Sequence, residues 1–145
     1  MPFTKKNIAF GLLVILLVFA IYFYKEYHRK PSDITNTVPA IKIDAAQFVE
    51  QYLADEAAAN KKYLNKTVQV TGVVSEIINQ KDTMVNLILG KANALHGVSC
   101  VMDKRHIIEI NNYSIGKPTI IKGICTGFLN DVELNNCVMV LDKNK

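Results

Sequence analysis

Asn65-Lys66-Thr67-Val68-Gln69-Val70-Thr71-Gly72-Val73-Val74-Ser75-Glu76-Ile77 is the stretch that decides the fold. Val68 and Val70 alternate with Gln69 and Thr71, the period-two pattern of a strand with one buried face. Gly72 breaks that alternation, and the apolar pair Val73-Val74 follows it. A glycine inside a long strand predicts a bulge or a sharp bend, because it lets the backbone kink at little cost. A long, bent, β-branched first strand is how a small five-stranded barrel turns its first corner.

The chain downstream supplies the remaining strands. Asn79-Gln80-Lys81-Asp82 reads as a turn, and Met84 to Leu89 as a second strand with Val85, Leu87 and Leu89 on one face. Gly90 to Gly97 connects it to a third, Val98 to Met102, in which Val98, Cys100 and Met102 alternate inward. Asp103 is placed to cap a short helix through Ile107, Ile108 and Ile110, ending before Gly116. Thr119 to Phe128 is a fourth strand, Asn130-Asp131 a tight turn, and Val132 to Leu141 a fifth. Three strands, a helix and two strands is the order of an OB-fold barrel, so the fold class is mainly β. Gly123 and Gly127 join Gly72 as glycines with a structural role.

Upstream, Ile8 to Tyr24 is a run of 17 residues without a charge. It is long enough to span a bilayer, and Tyr22 and Tyr24 would anchor it at the interface. A cleaved signal peptide is the rival reading, with Val18-Phe19-Ala20 as the cleavage site. The apolar run continues past Ala20 into Ile-Tyr-Phe-Tyr without a polar region, which favours an uncleaved signal anchor. Residues 1–30 hold Lys5, Lys6, Lys25, Arg29 and Lys30 against Glu26, whereas residues 31–145 hold 12 basic and 12 acidic side chains. The chain's net charge of +4 therefore sits entirely beside the apolar run, and the folded part is neutral. A short basic tail before a single span places the domain on the non-cytoplasmic side, although the basic residues flanking the run are nearly balanced.

The expected organisation is a tail and anchor over 1–24, a linker over 25–43 and a helix plus barrel over 44–145. A flexible linker of that length spans on the order of 20–25 Å, so the domain stays near the bilayer. Asp44 opens the helix, with Gln47 completing a capping-box pattern. Phe48, Val49, Tyr52 and Leu53 form its apolar stripe, with Ala57 and Ala58 a turn beyond, and it fades near Asn60-Lys61-Lys62. It reads as a lid packed on the barrel, with a partner-binding helix as the other reading.

The run from Ala58 through Asn60-Lys61-Lys62-Tyr63-Leu64 to Val74 resembles the opening of the tRNA_anti-like domains, an OB-fold family. Ile121-Lys122-Gly123-Ile124-Cys125-Thr126-Gly127 and Asp131-Val132-Glu133-Leu134-Asn135-Asn136-Cys137 resemble its closing hairpin. Cys100, in Val98-Ser99-Cys100, falls where that family often has a cysteine. The resemblance covers residues 45–141 and implies an OB fold behind an N-terminal anchor, with little about activity. The tethered-barrel layout is also similar to that of haem-delivery chaperones of cytochrome maturation. Those carry a histidine after the barrel, a role for which nothing beyond His106 could serve here.

Cys100, Cys125 and Cys137 lie on strands three, four and five, so an exported domain could join Cys137 to Cys125 or to Cys100. The alternative is three small buried hydrophobes. His96, Cys100, Asp103 and His106 lack metal-site spacing, and no motif supplies a nucleophile with its base, so neither cofactor, metal nor catalysis is expected. Nucleic-acid binding by this fold needs a basic groove and stacking aromatics. The outer faces of strands two and three offer Asn86, Ile88, Ser99 and Val101 instead, and Ile88 and Val101 make a modest apolar patch that would dock the Asp44 helix or another protein. Nucleic acid would become a partner only if Lys81, Lys91, Lys104, Arg105 and Lys122 gathered on one face. The sequence thus predicts a single-pass, membrane-anchored, non-enzymatic binding module of the cell envelope, with a membrane-tethered nucleic-acid-binding domain as the alternative. Membrane fractionation of the expressed chain should return it with the bilayer at its uncleaved mass, and a mature N-terminus at Ile21 would remove the anchor.

Overall fold

In a computed structural model of the chain, residues 5–27, 33–80, 84–91, 93–106 and 113–140 are described, with side chains for all of these except 5–12 and 80. The described residues fall into two units that divide after Pro31. The first is helix α1, Lys5–Tyr27, which contains the expected anchor segment. Among the described residues, no helix is long and apolar enough to cross a membrane.

The second unit holds every strand. β2 (Thr67–Gln80), β3 (Met84–Leu89), β4 (Val98–Met102), β5 (Pro118–Phe128) and β6 (Val132–Met139) follow in chain order. Antiparallel ladders join β2 to β3, β3 to β4, β5 to β6 and β2 to β5. A parallel β4–β6 ladder closes the circuit, giving the OB-fold barrel. Its interior is filled by Val68, Val70, Leu87, Leu89, Cys100, Ile121 and Leu134, all fully buried. Val68, Val70, Leu87, Leu89 and Cys100 are inward positions that the alternation predicts.

The stretch expected as linker does more than connect. Its last residues form a sixth strand, β1 (Ile41–Asp44), parallel to β2 with Ile41 opposite Val68. Four residues are too few for a period-two pattern to stand out. Before β1, Ile34 is buried, and the Lys122 ammonium donates to the carbonyls of Thr35 (3.0 Å) and Thr37 (2.7 Å). Residues 33–44 are thus a strap fastened to the barrel, and the barrel unit begins well before residue 44.

The single helix expected after Asp44 is two. Asp44 caps α2 (Ala45–Ala54) by accepting from the Ala46 N–H, as its position predicts. Asp55, in an extended conformation, stops α2 with its N–H on the Gln51 carbonyl and caps α3 (Glu56–Tyr63) with its carboxylate on the Ala58 N–H. The break rotates the buried face: Phe48, Val49 and Tyr52 are buried, Ala59 replaces Ala57 and Ala58, and Leu53 is exposed. Of the helix expected after Asp103, a single 3-10 turn over 104–106 is described. Residues 107–112 lie outside the described set.

The bend of β2 is displaced from Gly72. The register against β3 slips between Val74 and Glu76, which places the bulge at Ser75, and the Ser75 hydroxyl donates to the Ile88 carbonyl at 3.0 Å. Gly72 has another duty. A Cβ there would lie 2.9 Å from the Ala45 Cβ and 3.3 Å from the Leu89 Cβ, where the start of α2 and the end of β3 meet over β2. Gly123 is also a close approach, with a Cβ falling 2.6 Å from the Cys137 Sγ, whereas Gly127 has a φ of +128° at a β5–β6 register shift. Gly72→Val should therefore lower stability by about 1–3 kcal/mol, the usual cost of overpacking, seen as a lower melting temperature. An unchanged melt would show that α2 does not rest on this strand.

Candidate ligand-binding cleft

The loop from Gly90 to Gly97 is fastened at both ends. The Gly90 N–H donates to the Val73 carbonyl at 2.9 Å, and the Gly97 N–H to the Asp131 carboxylate at 2.7 Å. His96 Nδ1 lies 2.6 Å from the Asn130 carbonyl, an arrangement in which the ring nitrogen carries the proton, and its ring rests 5.9 Å from that of Phe128. Two connections far apart in sequence, β3–β4 and β5–β6, thereby become one wall. Between this wall and the bulged part of β2 lies an open cleft of about 410 Å³. Its apolar lining comes from Ile78, Ile88 and Leu95, and its charges from Glu76, Lys91 and Asp131. A smaller cavity of about 200 Å³ lies between the same loop and α2.

Of the four residues expected on the outer face of strands two and three, one borders the cleft, Ile88. Asn86 and Ser99 face each other and exchange hydrogen bonds of 2.8 and 3.1 Å, so their polar groups satisfy one another. Val101 is half-buried on the same face. The sequence reading missed Ser75, Glu76 and Ile78, because the bulge at Ser75 shifts the alternation on which it relied. Beyond it, Glu76 and Ile78 both point outward.

The domain's aromatic side chains turn inward. Residues 33–140 contain five: Phe48, Tyr52, Tyr63, Tyr113 and Phe128. The first four are buried, and Phe128 stacks on Tyr52 with ring centroids 5.7 Å apart. The basic side chains do not gather either. Lys122 is buried under the strap, and Arg105 binds the Asp103 carboxylate and lies 3.9 Å from that of Asp33. Lys91 is at the cleft, Lys104 is exposed in the 3-10 turn and Lys81 lies outside the described residues.

The three cysteines are free thiols, and all are buried. The β5–β6 register shifts set Cys125 opposite Leu134 rather than Cys137, and the Cys125 Sγ lies 3.2 Å from the Tyr52 hydroxyl. Burial, and then a hydrogen bond with Cys100, holds the Cys137 thiol well above the ordinary range, so it stays protonated and unreactive at neutral pH. No group of three or more His, Cys, Asp or Glu able to hold a metal occurs among the described residues.

The family model designated tRNA_anti-like matches residues 1–139. The chain belongs to this family. No curated protein matches it in sequence. Among solved structures, the tRNA_anti-like chain is similar to a lipoprotein of Klebsiella pneumoniae that carries a provisional nucleic acid-binding description. That similarity has a TM-score of 0.60 and 18% identity, over 77% of this chain and all of the other. It is similar at lower scores to the Stn1–Ten1 complex of S. pombe, at TM-score 0.40 and 18% identity over 54% and 60% of the two chains. For asparaginyl-tRNA synthetase of Entamoeba histolytica the figures are TM-score 0.44, 12% identity, and 74% and 25% of the chains. At 18% identity the likeness to the Klebsiella protein shows the fold alone.

The end of the tRNA_anti-like barrel opposite the cleft is held by ion pairs. The Arg105 guanidinium, hydrogen-bonded to Asp103, holds that carboxyl below its ordinary value against the opposing effect of burial. Thr35 donates from its hydroxyl and its N–H to Asp33, which lowers that carboxyl too. A carboxyl depressed in the folded state contributes stability above about pH 4, the unfolded range, and loses it as pH falls through the folded value. Arg105→Ala should therefore be less stable than the parent at pH 7, with the difference shrinking below about pH 4. Urea melts at neutral and acid pH read this directly, and a pH-independent difference would assign Arg105 a packing role only.

Proposed function

We propose that the chain is a membrane-anchored, non-enzymatic OB-fold binding module of the cell envelope, whose cleft beside the 90–97 loop takes a protein or small-molecule ligand. The observation that carries this reading is the commitment of the domain's aromatic side chains to its interior: four are buried, and the half-buried Phe128 is stacked on Tyr52. Single-stranded nucleic acid is held by stacked bases, worth about 1–3 kcal/mol each, and by a basic track. With those rings packed against one another, the cleft itself offers aliphatic surface, one lysine and two carboxylates. Its size falls within the range of small-ligand sites. The anchor rests on the uncharged run from Ile8 to Tyr24, and the non-cytoplasmic location on the basic tail before it.

A second reading, nucleic-acid binding, draws on the description given to the Klebsiella neighbour. It leans against our exclusion of nucleic acid, and the two readings make opposite predictions about salt. A polyanion binder that neutralises several phosphates loses affinity steeply as salt rises. The chain should bind a fluorescein-labelled dT15 oligonucleotide or its RNA counterpart no tighter than about 10⁻⁴ M at physiological salt, the weak end of non-specific binding. Micromolar affinity with a strong salt slope in fluorescence anisotropy would transfer the assignment to the second reading.

A further inference from the structure

The rim of the cleft is more apolar than a surface loop requires. Leu95 and Leu129 are 87% and 86% exposed, and they sit on the two connections that His96 and Gly97 clip together. Ile78 is itself 37% exposed at the cleft. Scattered exposed leucines are ordinary, but Ile78, Ile88 and Leu95 all line this one cleft, while Leu129, next to its Asn130 wall, lies over the neighbouring cavity lined by Leu64 and Phe128. A small ligand buries most of its surface in an enclosed pocket. An open trough with an apolar lip beyond it suits a chain that runs through and past it.

The charges add a direction. Glu76 comes from the β2 wall and Lys91 from the loop wall, and neither has a side-chain partner among the described residues. Asp131 stands on the loop wall with Lys91, but its carboxylate accepts from the Gly97 N–H, so the partnerless charges are a carboxylate on one wall and an ammonium on the other, which repel a polyanion on one side and favour a segment carrying both signs. The strap, by contrast, fastens where Asp33 meets Arg105 and His106, just beyond the far end of β4. Five residues of β4 separate the two places, about 16 Å at strand rise, so the cleft opens away from where the strap begins.

Resting on the reading of this cleft as the binding site, we infer that it receives an extended segment of a partner protein. One apolar side chain sits on Ile78 and Ile88, an acidic neighbour faces Lys91 and a basic neighbour faces Glu76. The contact is small, so the affinity belongs with weak, transient encounters.

The chain contains no tryptophan, so Leu95→Trp places a single reporter on the rim. The probes are capped nine-residue peptides, serine except for a central Glu-Leu-Lys or the reverse, Lys-Leu-Glu, titrated into the full-length variant in mild detergent. One order should shift the emission to the blue with a dissociation constant on the order of 10⁻⁴ M, and the other more weakly. Lys91→Glu should weaken the preferred peptide by about three- to fivefold, the scale of an exposed ion pair. Replacing that peptide's glutamate by lysine should restore binding to the variant. No shift with either order up to millimolar peptide, with dT15 also silent, would overturn the peptide assignment and leave the small-molecule form of the binding-module reading. A shift with dT15 instead would overturn that reading as well. Leu129→Trp repeats each measurement from the second loop, so a perturbation by one reporter does not decide the result.

Discussion

The barrel depends on a side chain that is missing. At Gly72, β2 carries the start of α2 on one side of the contact and the end of β3 on the other, both within 3.3 Å of where a Cβ would stand. Through the same stretch β5 pairs with residues 67–73 and β1 with residues 68–71, so a single segment is shared by four elements. Interiors are packed too densely to absorb an added methyl at such a junction. With α2 seated there, Phe48 and Tyr52 reach the barrel interior and Ala45 closes the corner. The bulge at Ser75 then falls just beyond the junction, where β2 leaves the shared region and pairs with β3 alone.

Lys122 shows how a neutral composition becomes a specific surface. Its ammonium is almost wholly buried, and its hydrogen bonds go to two backbone carbonyls of the strap. Burying a charge is costly unless its donors are satisfied, and the strap supplies the acceptors. The strap is fastened a second time where Thr35 Oγ1 lies 3.1 Å from His106 Nε2. Positive charge that could have lain on the outside of β5 is thus committed to holding residues 33–37. The same holds for Arg105, and the barrel's outer surface loses two of the cations that a phosphate track would use.

The strands were legible because their alternation is strong: Val68 and Val70, then Val85, Leu87 and Leu89, then Val98, Cys100 and Met102 point inward as the pattern requires. Asp44 was legible as a cap because an acceptor before an apolar stripe has few other uses. Four features escaped. β1 is shorter than its own periodicity signal. Asp55 ends one helix and starts another, and that dual role is invisible when the residues on both sides favour helix. The Ser75 bulge leaves no compositional mark, since Gly72 beside it is the expected site. The cleft itself joins residues from β2, the 90–97 loop and the 130–131 turn, a proximity that exists only once the loop is clipped to Asn130 and Asp131.

That last proximity bears on how a common barrel acquires a particular ligand. OB folds share a frame, and what they bind is set by what the frame displays. Here the rings that could serve as a stacking surface are committed to packing: four are buried and Phe128 is stacked on Tyr52. Phe48 meets Tyr52 and Tyr63 edge to face on the inner side of the helices, and Phe128 stacks on Tyr52 and reaches toward His96. The stack thus runs from the helices to the loop wall of the cleft, and Tyr52 is further tied to Asn60 and Cys125. Turning Phe128 outward to meet a base would empty the space between Tyr52 and His96 and weaken the wall that shapes the cleft. The same rings cannot both hold the cleft and form a platform, and in this chain they hold the cleft.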